Sequence, residues 1–194
     1  MNDASNAKRN LELDLKNLIA GEWVDSDQRI EVTNPYTNEV VGTVPRMSID
    51  QVKKAIDAIY EYEPTLTAYE RSEILKGAAA EITARKDELA YGISLESGMS
   101  IKDSTKEVGR GVNLINVAAE EAKRIMGEQL PSDVDASGAD KIIMAMRCPV
   151  GVVSAIVPFN RPMNQVVVKV APSFAAGNKT IIKPTARTPM SVSY

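Results

Sequence analysis

The chain has 194 residues, 44% of them hydrophobic and 25% charged, with Lys+Arg 23 against Asp+Glu 26 and a net charge of -3. A chain this long buries roughly 70% of its unfolded surface, enough for one sizeable domain or two small ones, which excludes disorder for most of it. No basic stripe marks a nucleic-acid partner, no apolar run reaches the ~20 residues of a membrane span, and MNDASNAKRNLELDLKN lacks the apolar stretch of a signal peptide, so a cytoplasmic protein with no membrane or nucleic-acid partner is expected.

The first sixteen or so residues are polar, carry no clear start signal, and read as a loose tail or a marginal helix. NLIAGEWVDS and RIEVTNPYTNEVVGTVP then supply β-branched residues punctuated by Gly21, Asn34-Pro35 and Pro45, which predicts short strands in a small sheet or a pair of hairpins. From Ser48 the period becomes helical. Ser48 and Gln51 form a capping-box pattern ahead of Val52, Ala55, Ile56 and Ile59, and this helix is expected to run to about Tyr62, before Pro64. Thr67 and Glu70 repeat the pattern ahead of Ile74, Leu75, Ala78, Ala79 and Ile82, which predicts a long second helix toward Gly98 with a break near Gly92. Ser104 and Glu107 are expected to open a third helix, with Val108, Val112, Ile115, Ala119, Ala122 and Met126 on one face and Gly127 as its stop. Arg110, Leu114 and Val117 share a neighbouring face. Residues 127–147 read as a turn-rich excursion closed by a strand at Lys141 to Met146.

After Pro149 the composition shifts. VGVVSAIVP is a nearly continuous apolar run, the pattern of a parallel strand buried on both faces. The piece from Met163 to Ala176 fits a strand by its three consecutive valines and a helix by its length and its Gly177-Asn178 ending; helix is the assignment adopted. With a strand at Lys179 to Lys183 this makes one right-handed parallel strand-helix-strand unit. In open α/β sheets ligands sit at the carboxyl ends of the strands, here the loops FNRP and PTART.

The chemistry is restricted by what is missing. There is one cysteine, Cys148, and no histidine, so neither an internal disulfide nor a cysteine-cluster or histidine metal site can form, and no metal is expected. Cys148 reads as a plain, semi-buried thiol.

The stretch AIVPFNRPMNQVVVKVAPSFAAGNKTIIKPTARTP resembles the aldehyde dehydrogenase superfamily, and GEWVDS, NPYTNEVVGTVP, the ESGM segment and the PVGVV strand agree in order. The resemblance implies an α/β fold: the N-terminal part of the aldehyde dehydrogenase fold, a Rossmann-like parallel βαβ unit preceded by small strands and three helices. The implied layout is a tail over 1–16, strands and helices of the cofactor-binding domain over 17–126, an oligomerisation-type excursion over 127–147, and the dinucleotide-binding βαβ unit over 148–194. Family chains are more than twice as long. The resemblance places the nucleophilic cysteine and the general-base glutamate outside these residues, so the 194 residues alone are expected to be inactive, or to serve as a cofactor-binding or assembly fragment.

The implied reaction is NAD(P)-dependent oxidation of an aldehyde to a carboxylic acid, through thiolate attack, hydride transfer and thioester hydrolysis. Asn160 matches the family asparagine that donates to the oxyanion, its bland alternative being an Asx-turn before Pro162. Lys169 matches a lysine near the catalytic centre, or snorkels from an apolar helix. Lys183 matches the lysine that holds the adenosine ribose, with Thr185 and Ala186 beside it and Ile156, Val157, Pro158 and Phe159 lining the cleft. Ala186 stands where the family pattern has a glutamate for the ribose 2'-hydroxyl, which opens the site to NAD or NADP, with Arg187 near enough to meet a 2'-phosphate. Arg110 resembles a substrate-anion arginine and Arg161 is expected to face the aldehyde channel, unless each is solvated or bridges to a carboxylate. The lean is toward an anionic small-molecule aldehyde and a homo-oligomer.

Overall fold

The computed structural model describes residues 14–193. Two hairpins come first among the described residues. β1 (Asn17–Ile19) pairs antiparallel with β2 (Glu22–Val24) through Ala20 and Gly21, whose φ of 51° and 86° put both turn residues in the left-handed region that a tight two-residue hairpin requires. β3 (Arg29–Thr33) pairs antiparallel with β4 (Val40–Pro45). In the turn between them, the Asn34 side chain accepts from Tyr36 and Thr37 N–H and donates to the Leu95 carbonyl at 2.9 Å, tying the hairpin to the helices. The expected loose tail falls mostly outside the described residues. Its end is fixed, however: Leu15 N–H donates to Thr43, and the Leu15 side chain is buried with Val32, Val44 and Met190.

Four helices follow. α1 (Ile49–Glu61) and α2 (Ala68–Ala84) both start with the capping boxes read from Ser48–Gln51 and Thr67–Glu70. The long second helix is broken at Arg85 rather than near Gly92, giving α2 and then α3 (Lys86–Ser97), so four helices stand where three were expected. Gly92 is buried inside α3 and does not end it. Gly98 ends α3 with φ 72°, and a Cβ there would lie 2.8 Å from the Pro35 ring. α4 (Ile101–Glu121) starts one turn earlier than expected, because Ser100 rather than Ser104 is the cap: its side chain accepts from Asp103 N–H. Ser104 and Glu107 are instead buried. Helix α4 ends at Ala122, short of Gly127, and Met126 is 76% exposed rather than on the buried face.

Across the 127–147 stretch, β5 (Glu128–Leu130) and β6 (Ile143–Ala145) form an antiparallel hairpin around a short 3-10 turn, Ala136–Gly138. The parallel unit is as expected: β7 (Val152–Ile156), α5 (Pro162–Ala175), β8 (Lys179–Lys183), with Val152 opposite Lys179 and Ile156 opposite Lys183. A final turn, α6 (Met190–Ser193), follows. β7 departs from the reading in one respect. Among the described residues it pairs only with β8, so its side chains alternate: Ala155 and Val157 are buried, whereas Val152 and Ile156 are 38% and 66% exposed.

The main core is built by α2, α3, α4 and α5: Leu75 and Ala79 meet Leu89, Ile93, Val108, Ile115, Met163 and Val167. Gly111 lets α4 and α5 close up, since a Cβ there would stand 2.9 Å from Met163 Cε. The helical layer thus lies directly against the start of α5, the helix that follows the FNRP loop.

Candidate active site

Two loops leave the carboxyl ends of the parallel strands on the same side of the sheet. The first runs from Val157 to Arg161 into α5. The second runs from Pro184 to Pro189 into α6. Their proximity follows from the parallel register, which sets Ile156 against Lys183, and Val157 N–H donates to the Lys183 carbonyl at 3.2 Å. Further out, the Thr188 hydroxyl donates to the Phe159 carbonyl at 3.4 Å, and the Arg187 guanidinium lies 4.7 Å from the centre of the Phe159 ring. The loops are joined by backbone, hydroxyl and cation-ring contacts.

Asn160 is exposed on the first loop, and among the described residues its side chain makes no hydrogen bond, so the Asx-turn alternative is not what it forms. Lys183 is exposed at the end of β8, and its Nζ donates to the Pro184 carbonyl at 3.3 Å. Thr185 accepts from Arg187 N–H through its hydroxyl, while Ala186 is exposed. Pro158 and Phe159 are exposed toward the same end and Val157 is buried beneath them. Lys169 points back along α5, donating to the carbonyl and the side-chain oxygen of Gln165 at 3.1 Å each.

The two arginines behave differently. Arg110 faces a groove of about 650 Å³ between α4 and α5, lined also by Lys106, Asn113, Leu114, Asn164 and Val168. Arg161 is half-buried and turned toward Glu107, 3.8 Å from its Oε2, with Met99 Sδ 4.0 Å away. Cys148 is exposed, not semi-buried as expected, because residues 141–150 lie on the surface. Among the described residues no group of three His, Cys, Asp or Glu side chains could hold a metal, and no helix is long and apolar enough to cross a membrane.

Two buried carboxylates complete the site's supports. Glu107, on α4, accepts from Met163 and Asn164 N–H at 3.1 and 3.2 Å; burial pushes its carboxyl above the ordinary value, against the pull of those bonds and of Arg161 and Arg110. Glu96, on α3, accepts from Met190 N–H at 2.7 Å, from Ser191 N–H at 2.9 Å and from the Ser191 hydroxyl. Its burial raises it to about 7 in spite of those donors, with the charge of Glu107 pushing the same way. Sequence reasoning missed both roles, placing Glu96 only in a motif and Glu107 only in a local cap. Their partners lie 94 and 56 residues on, where no local pattern reaches.

A profile of the aldehyde dehydrogenase family matches residues 23–194. The chain belongs to the aldehyde dehydrogenase family. It is 37% identical over 173 residues to 3-sulfolactaldehyde dehydrogenase of Priestia aryabhattai, covering 89% of this chain and 36% of that protein. It is 36% identical to the NADP(+) succinate-semialdehyde dehydrogenase GabD of Escherichia coli, over 90% of this chain and 36% of that one. Among solved structures, aldehyde dehydrogenase 21 from Physcomitrella patens, in complex with the reaction product succinate, superposes with a TM-score of 0.90 at 37% identity. That match covers 94% of this chain and 39% of the other. The chain therefore has the fold of the N-terminal part of aldehyde dehydrogenases and spans little more than a third of the length of these curated relatives.

Proposed function

We propose that these residues supply the oxyanion donor and the cofactor-facing loops of an enzyme that oxidises an aldehyde to a carboxylic acid with NAD or NADP. The observation that carries this is Asn160 with an uncommitted side-chain amide, on a loop joined through Thr188 and Arg187 to the loop that follows Lys183. A bound NAD or NADP would supply the hydride acceptor that oxidation of an aldehyde requires. The residues present fit such a cofactor. Lys183 offers an exposed ammonium at a strand end, where it can donate to ribose hydroxyls, and the backbone of Ile156, Val157, Pro158 and Phe159 borders the same end. Thr185 shapes the second loop by accepting from Arg187. Ala186 neither bonds a 2'-hydroxyl nor repels a 2'-phosphate, which is compatible with NADP as well as NAD; Arg187, packed on Phe159, braces the two loops.

An anionic aldehyde is the substrate class this reading favours. Arg110 and Lys106 line one groove with two asparagines, and a guanidinium suits a sulfonate, phosphate or carboxylate by bidentate bonding. The relatives named for 3-sulfolactaldehyde and succinate semialdehyde support the same class. Arg161 has its charge turned to Glu107, and Lys169 lies along its own helix, so each contributes to the local field rather than gripping substrate.

A second reading, assembly with another copy of this chain, is favoured by the β5–β6 hairpin, an open-edged ladder on which Met144 is 68% exposed and which is flanked by Ile142 and Met146, each 79% exposed. The first reading is tested in a complete enzyme carrying this segment. Asn160→Ala should lower the chemical step by ~100-fold or more with cofactor affinity nearly unchanged, as loss of an oxyanion donor does. A change confined to cofactor affinity would sink the assignment.

A further inference from the structure

The helix that follows the Asn160 loop starts without a cap of its own. Arg161 stands at the N-cap position of α5 with no side-chain cap bond, and Pro162 follows it. A helix start leaves its first N–H groups without intrahelical partners. Pro162 has no N–H, and the next two, on Met163 and Asn164, are taken by Oε1 of Glu107 from a different helix. Glu107 is 1% exposed, and its other oxygen, Oε2, has no hydrogen bond among the described residues but faces the Arg161 guanidinium. One carboxylate thus meets three points within four residues of the chain: it accepts from the first two N–H groups of the helix and faces the side chain of the residue after Asn160. A local Ser or Asp cap would have satisfied the helix start at less desolvation cost. Reaching across from α4 adds something a local cap cannot, a fixed relation between the loop and the helical layer.

We infer that Glu107 is a positioning residue for the aldehyde chemistry, fixing the direction in which the Pro158–Arg161 loop presents the Asn160 side chain. It acts through Arg161, Met163 and Asn164 and does not itself touch the aldehyde. The inference rests on the reading of Asn160 as the oxyanion donor. Misplacing such a group by about 1 Å can cost as much as ~100-fold in rate, so a support that only loosens it is expected to cost less than removing it.

The test is a double-variant cycle in a complete enzyme carrying this segment, with amide hydrogen exchange at Met163 and Asn164 as a second readout. Glu107→Gln keeps the shape but loses the charge; it should lower kcat about tenfold, leave the cofactor KM within about twofold, and speed exchange at both amides. Combined with Asn160→Ala it should be no slower than Asn160→Ala alone, because the supported donor is already gone. Glu107→Asp, which keeps the charge and withdraws it by one bond, should fall between wild type and Glu107→Gln, and it stands in if the glutamine variant does not fold. Faster exchange with unchanged kcat would make Glu107 a purely structural cap and overturn the inference. Multiplying losses in the double variant would overturn it too, by showing that Glu107 acts elsewhere. A normal kcat in Asn160→Ala, with exchange still accelerated in Glu107→Gln, would refute the oxyanion reading itself while leaving the contact geometry intact.

Discussion

Replacing Glu96 by glutamine should change how the stability of the chain depends on pH. Glu96 is 2% exposed and its carboxyl is raised from 4.5 to about 7, chiefly by burial and against the hydrogen bonds from Ser191 and Met190. The folded state therefore binds a proton more tightly than the unfolded state does, and unfolding free energy falls as pH rises between those two values. The stabilisation attached to this group is fully present below about 4.5 and is lost as pH rises through about 7. The difference of 7 − 4.5 = 2.5 units, at 1.36 kcal/mol each, gives a loss of about 3 kcal/mol, a large share of the 5–15 kcal/mol typical of a domain. Glu107 is raised in the same direction and titrates in both proteins, and because the two carboxylates repel each other the difference between wild type and Glu96→Gln reports Glu96 together with its effect on Glu107. Urea unfolding from about pH 5 to about pH 8 should show wild type losing most of that amount relative to the variant. Parallel profiles would mean that the three donors on Glu96 outweigh its burial and that it is ionised throughout, which would refute the reasoning.

Two further outcomes are expected. Ala186→Glu, in a complete enzyme, should shift cofactor preference toward NAD by roughly 1–3 kcal/mol, about 5- to 150-fold, by setting a carboxylate against the 2'-phosphate; titrating NAD and NADP against both proteins checks this, and a hundredfold preference of the parent for NAD would show that position 186 does not set it. Gly98→Ala should destabilise the chain by about 2 kcal/mol, since it forces alanine to φ 72° and sets a Cβ 2.8 Å from the rigid Pro35 ring; urea unfolding reads it, and a loss below about 0.5 kcal/mol would show that the hairpin turn gives way freely.

Local chemistry was the legible part of the sequence. The Ser48 and Thr67 caps and the parallel strand-helix-strand order were readable because each signal lies within a few residues of its effect. The β-branched Val166–Val168 run did not prevent α5 from forming, as burial of Val167 against the α2–α4 layer outweighs a weak propensity. The break at Arg85 was not readable: no Gly or Pro marks it, and α2 carries on into α3 with only Arg85 itself, at φ −98°, out of helix. Ser104–Glu107 matched a capping box and was not one, because Ser100 four residues earlier competes for the same task and Glu107 is drawn to α5. Asn160, Lys183 and Arg110 were found as candidates by resemblance and by strand-end position, whereas Glu96 and Glu107 could not be, since their meaning exists only after the chain has folded back.

Those two carboxylates make a common device. Each loop at the carboxyl end of the parallel pair ends in a helical turn, the first in α5 and the second in α6, and each of those turns opens on N–H groups held by a buried glutamate from the α3–α4 pair. The sheet fixes where the loops begin, through the Ile156–Lys183 register, and the glutamates fix where they end. Between the fixed ends lie Asn160 on one loop and Lys183, Thr185 and Ala186 on or beside the other. Neither loop needs internal regular structure, because its span is short and both its ends are anchored. When either carboxyl is ionised its bonds to backbone N–H groups are stronger than neutral ones, and burial keeps water from competing for the donors. The cost is a pair of carboxylates whose charges oppose each other: burial raises both, and the charge of Glu107 adds to the rise at Glu96. Removing the Glu107 charge should therefore also lower the value at Glu96, while the loops themselves meet at Phe159.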